Sequence, residues 1–142
     1  DAFETGVFHY QDDKKTLSGY HNLSHHGQRE AHLKQLEITD LRQMQLLQQQ
    51  MEFMKSTQSH DESLLDQTMI LFGSNMGNAN THTNTNLPIL LAGGGFKHGQ
   101  HMVFDREKNT PLSNLFVSML QNMNIETNRF GSSSGRLDGL QF

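Results

Sequence analysis

The sequence predicts an α/β fold from three observations. A helical period runs from Gln28 to about Lys55. Two apolar runs, Thr68 to Ser74 and Leu87 to Ala92, run into glycine or serine at their ends. A second helical pattern opens at Thr110-Pro111. At 142 residues the chain is long enough for one domain with a core. Its hydrophobic share of 34% is low for a self-sufficient globule. The expectation is one incomplete domain, residues 1–142, that leans on a missing half or on another protein chain.

Composition removes several classes of function. The net charge is −4 with histidine neutral, and no basic stripe supports nucleic-acid binding. No apolar run approaches the ~20 residues of a membrane span. There is no cysteine, so thiolate metal sites and disulfides are excluded. The chain opens on Asp1 without a signal peptide, which reads as a processed or truncated product. Nine histidines are its most unusual count.

In chain order, residues 1–27 form an N-terminal segment with Gly6 to Tyr10 as a short strand, a polar turn from Gln11 to Lys15, and a cluster at His21 to His26. Residues 28–55 form a long helix. Leu33, Leu36, Leu41, Met44, Leu47, Met51 and Met54 make its apolar stripe, Ser24 its N-cap, and Glu30 its acidic first turn. A helix of ~42 Å normally crosses a whole sheet face. Ser56 to Ser63 reads as a polar loop.

Residues 68–104 form a strand-loop-strand region. The run at 68–74 does not alternate, which predicts a strand covered on both faces. Asn75 to Asn86 is rich in Asn, Thr and Gly and predicts a surface loop, so Leu87 to Ala92 is expected to return antiparallel. Gly93-Gly94-Gly95 forces a tight turn, and His101 to Phe104 reads as a short extra strand. Residues 110–142 hold the last helix and tail, with Thr110 as N-cap, Pro111 at the first helical position, and an apolar face from Leu112 to Met123.

His21-Asn22-Leu23-Ser24-His25-His26 resembles the signature of the His-x-x-Ser-His-His family, a bacterial exported domain of unknown function. The likeness continues through Leu65 to Ser74, Asn86 to Gly95, Thr110 to Leu115 and Arg129-Phe130-Gly131, in the family's order. It implies the C-terminal half of a longer exported protein, placed in the periplasm or outside the cell. The family is distantly similar to the alkaline phosphatase and sulfatase superfamily. That similarity implies the C-terminal part of a sheet sandwiched by helices, one long and one shorter. Ser74-Asn75-Met76-Gly77 then stands in the place of a Ser-Asp-His-Gly metal motif. Asn75 and Met76 depart from it, and an amide or thioether binds a hard divalent ion poorly.

The candidate metal ligands are His21, His25, His26 and His82. On a helix His21 and His25 share a face one turn apart, while His26 diverges by ~100°. His82 adds a ligand from the loop after the first strand. Imidazoles select a divalent transition metal such as Zn, or Fe, Ni or Cu, over Mg or Ca. Glu30, Asp40 and Asn75 are the candidate outer partners that would fix imidazole tautomers. The competing reading is that these histidines cap a helix and make ordinary hydrogen bonds. Ser24 is read as an N-cap and, in second place, as a nucleophile beside His25. Gly93 to Gly95 reads as a plain turn rather than an anion nest, with His98 and His101 as surface or hydrogen-bonding residues beside it.

Two functions follow. One is a metal-dependent, hydrolase-like exported protein acting on phosphate or sulfate esters. The other is a non-catalytic structural or scaffold protein of an extracytoplasmic or cell-surface assembly.

Overall fold

The computed structural model describes residues 19–140; the strand expected at Gly6 to Tyr10 and the turn after it lie outside them. The elements are α1 (Tyr20–Ser24), α2 (Glu30–Ser56), β1 (Gln58–Ser59), β2 (Glu62–Ser63), β3 (Met69–Gly73), β4 (Ile89–Gly93) and α3 (Ser113–Asn122). The class is broadly α/β, with the described strands in two small antiparallel sheets, β1 with β2 and β3 with β4. Among the described residues no helix is long and apolar enough to cross a membrane. The chain divides into two compact units. One holds the residues up to Phe53 together with Gly73–Ile89, and the other holds Met54–Phe72 and Leu90–Phe142.

In the first unit, α1 is short. Ser24 is its last residue, and its Oγ donates to the His21 carbonyl at 2.7 Å. Ser24 therefore closes α1 instead of capping α2, a correction to the N-cap expectation. The long helix begins at Glu30 rather than Gln28 because Gly27 and Gln28 have φ of +54° and +61°, outside the helical region. The carbonyl of Arg29 takes up the amides of His32 and Leu33. Of the predicted stripe on α2, Leu47 is buried, whereas Leu33, Leu41 and Met44 are exposed.

In the second unit, the polar stretch after α2 is a hairpin rather than a loop. Gln58 pairs with Ser63 and Ser59 with Glu62, with His60 in the turn at φ +60°. Asp66 anchors its exit. Its carboxylate accepts from Ser63 Oγ at 2.7 Å and Ser63 N at 3.1 Å, while its own amide donates to Ser63 Oγ at 3.2 Å. These donors hold the Asp66 carboxyl below the usual carboxylate range.

β3 and β4 run antiparallel, as the loop connection implies. They are not covered on both faces: Leu71 and Ile89 are exposed. A two-stranded ribbon twists strongly and leaves parts of its faces open. β4 ends in Gly93, Gly94 and Gly95, all at positive φ (70°, 64° and 71°). A Cβ on Gly93 would overlap the Leu65 and Thr68 carbonyl oxygens, and one on Gly94 would overlap the Met69 side chain. His98 Nε2 donates to the Gly93 carbonyl at 2.9 Å, and Asn122 Nδ2 to the Gly94 carbonyl at 2.6 Å. The turn is thus pinned from two sides. His101 to Phe104 forms no strand, contrary to expectation; Val103 stands 80% exposed with no ladder beside it.

α3 starts two residues later than the Thr-Pro signal suggests. Pro111 and Leu112 form a tight lead-in turn with bonds from Asn114 N to Pro111 O and from Leu115 N to Leu112 O, both 2.9 Å, and Leu112 is the N-cap. Leu115 packs with Phe96 and Leu140 in the core of this unit, joined by Met69, Leu91, Met102, Leu112, Met119 and Leu137. Fully burying a side chain of this size is worth ~1.5–3 kcal/mol. The tail is held by polar groups. Asn114 Oδ1 accepts from Ser134 N at 2.9 Å, and Ser118 Oγ accepts from Leu137 N at 2.9 Å.

Two predictions follow from the hairpin and the glycine turn. Gly93→Ala should cost about 2 kcal/mol or more in urea unfolding, because left-handed backbone strain adds to overlap with fixed carbonyls. Unchanged stability would refute this packing. Asp66→Asn should lower Tm at neutral pH. A lowered folded-state pKa gives stability that is present above the unfolded value of ~3.9 and is lost as pH falls through the folded value. The Tm gap between wild type and variant should therefore close below pH ~4, and a gap that persists there would contradict the assignment.

Candidate metal centre

The site is built entirely within the first unit, from α1, the turn into α2 and the loop between β3 and β4. α1 is one turn long and is closed by its own polar groups. The His21 carbonyl accepts from Ser24 Oγ and from the His25 amide at 3.3 Å. His25 is the C-cap, and its ring meets the ring of His21 edge-on with centroids 4.8 Å apart. The i, i+4 spacing thus places the two imidazoles side by side as the sequence predicts.

The chain then turns through left-handed Gly27 and Gln28. Here His26 parts from the cluster. Its Nδ1 accepts from Gln28 N at 3.0 Å, so that ring nitrogen serves its own turn. The Gly27 amide donates to Asn80 Oδ1 at 2.8 Å, a bond between residues 53 positions apart.

The Asn-rich loop folds on itself. Gly77 N donates to Thr83 O at 2.9 Å, and Asn78 and Thr83 form an isolated antiparallel bridge. Asn78 Oδ1 accepts from the amides of Asn80 and Thr81, at 2.9 and 3.3 Å, and so rounds the tip. At its base Gly77 lies flush against the Thr85 carbonyl, where a Cβ would not fit. His82 occupies a left-handed position at φ +55° next to the bridge. This conformation carries its ring to His25. The two Nε2 atoms are 3.3 Å apart, the centroids 4.8 Å apart, and the planes 87° from parallel.

Three of the four predicted ligands therefore form a contiguous row, with His25 in the middle. Two present nitrogens to each other, and His26 is diverted. Among the described residues no group of three or more His, Asp or Glu side chains is arranged so that it could hold a metal ion. The expected outer partners are engaged elsewhere. Glu30 pairs with Lys34 Nζ at 2.8 Å. Asp40 accepts from the Tyr20 hydroxyl at 3.2 Å, and partial burial, reinforced by that carboxylate, raises the Tyr20 pKa. Asn75 is exposed at the loop base, and none of these three is hydrogen-bonded to an imidazole among the described residues. Ser24 Oγ is spent on a backbone carbonyl, not on an imidazole. Ser74 Oγ accepts from Met76 N at 3.1 Å, a local turn rather than a ligand arrangement.

Sequence reasoning missed Asn80, whose side chain fastens the loop to the histidine turn. Its signal was only a composition of turn formers, which marks a loop but not the partner it grips. Comparison of the chain with protein-family models, with curated proteins and with solved structures gives no match.

Proposed function

We propose that this chain is the C-terminal part of an exported His-x-x-Ser-His-His family protein, a metal-dependent, hydrolase-like protein acting on phosphate or sulfate esters. The observation that carries the reading is the meeting of His25, from the signature, with His82, from the loop after β3, at an Nε2 separation of 3.3 Å. Ligand sites of α/β proteins collect in loops at the carboxyl ends of strands, where this loop leaves β3. Neutral imidazoles suit Zn, Ni, Cu or Fe. His25 and His82 would be the residues to hold such an ion, and the chemistry supplied would be polarisation of an ester oxygen and acidification of a water. The resemblance to the His-x-x-Ser-His-His family supplies the periplasmic or extracellular location, and that family's likeness to the alkaline phosphatase and sulfatase superfamily supplies the substrate class and the sandwiched sheet. Asn75 and Met76 in the Ser-Asp-His-Gly position separate this site from the superfamily's own, because neither side chain is a hard-ion carboxylate.

Metal analysis of the full-length protein, with aryl phosphate and aryl sulfate hydrolysis as the assay, tests the proposal. The expected result is a bound transition metal and turnover abolished by a chelator. Metal-free protein with unchanged properties in His25→Ala would overturn it.

A scaffold role is the second reading, favoured by the succession of exposed apolar side chains Leu33, Ile38, Leu41 and Met44 along α2. It predicts self-association or a bound partner chain. A monodisperse 16.2 kDa monomer in analytical ultracentrifugation would count against it.

A further inference from the structure

We infer that an exposed seam along α2 is a docking surface for a second copy of this chain, and that the two copies of α2 pack antiparallel. This is independent of the metal-dependent reading. It rests on the scaffold reading and deepens it by naming the partner and the face.

The seam is read from spacing. Leu33, Glu37, Leu41, Met44, Gln48 and Met51 follow one another at steps of three or four along one continuous helix. At ~100° per residue they fall within ~80° of arc, so they share a face. Steps alternating between three and four are the pattern of helices that pack along their length. Leu33, Leu41 and Met44 are exposed, and Met51 is half-buried. The buried Thr39 and Leu47 lie outside that arc. The seam is therefore a second face of α2, distinct from the one that the fold covers.

Charge complementarity chooses the occupant. The seam is matched to itself when it is reversed about the midpoint between Leu41 and Met44. Leu41 then meets Met44 of the second copy, Leu33 meets Met51, and the Glu37 carboxylate meets the Gln48 amide. On one flank Lys34 meets Glu52, and at the ends Glu30 meets Lys55. A parallel pair would instead set Glu37 against Glu37 and Glu30 against Glu30, and like charges repel. Exposed ion pairs add little affinity. The apolar side chains drive the association, and the charges with the polar Glu37–Gln48 step fix its direction and register. At 1.5 Å per residue α2 is ~40 Å long, so the contact repeats over several turns.

Sedimentation velocity over a concentration series, on the 142-residue chain and on the full-length protein, tests this. Both should form reversible dimers. Leu41→Glu and Met44→Glu should each weaken dimerisation more than about 10-fold, because each brings an unpaired charge into the seam. Both side chains are exposed, so the helix content by circular dichroism should not change. Leu46→Glu, exposed on the opposite side of α2, should dimerise as wild type. Glu52→Lys should weaken the dimer, and adding Lys34→Glu should recover most of the loss. Absence of that recovery would overturn the antiparallel arrangement. A monomer at every concentration would overturn this inference together with the self-association that the scaffold reading allows. Dimers that survive both Leu41→Glu and Met44→Glu would overturn this face and leave the scaffold reading in place. Dimers of the 142-residue chain beside a monomeric full-length protein would make the rest of that protein the occupant and overturn the second copy.

Discussion

The bond from the Gly27 amide to Asn80 Oδ1 fixes where the histidine turn meets the loop, and the site depends on it. It belongs to a wider pattern. The described sheets have only two strands each, so much of the backbone has no ladder to pair with. Asparagine side chains take over that task. Asn78 rounds the loop tip, Asn80 binds the histidine turn, Asn114 holds the tail at Ser134, and Asn122 holds the glycine turn. An amide carries both a donor and an acceptor, which lets one residue satisfy backbone groups of either kind. Most of these contacts are exposed to water and individually modest. Their value is geometric, because each sets the position of a segment that has no sheet ladder of its own.

The periodic elements were legible in the sequence. The 3.6-residue pattern located α2 to within two residues, and the two apolar runs located β3 and β4, because burial repeats at the helical and strand periods. Caps were less legible. Ser24 has a good N-cap side chain, but left-handed Gly27 and Gln28 lie between it and α2, and a competing bond to the His21 carbonyl claims its hydroxyl. Thr110-Pro111 marked a helix start correctly in kind but early in position, because the chain makes a tight turn first. Buried Asn114 and Ser118 could not be found by pattern at all. They look like interruptions of an apolar face, and only the tail that they bind explains them.

The histidine cluster shows the same division. Spacing alone placed His21 beside His25, since both lie along one turn of chain. That His82 joins them depends on a left-handed backbone angle and an Asx-type tip, neither of which is written in any single residue. His26 shows the limit of motif reading. It belongs to the signature as fully as His25 does, yet the reversal of the chain at Gly27 turns its Nδ1 to the Gln28 amide. Two adjacent histidines in a turn are thus divided between holding the backbone and facing the loop.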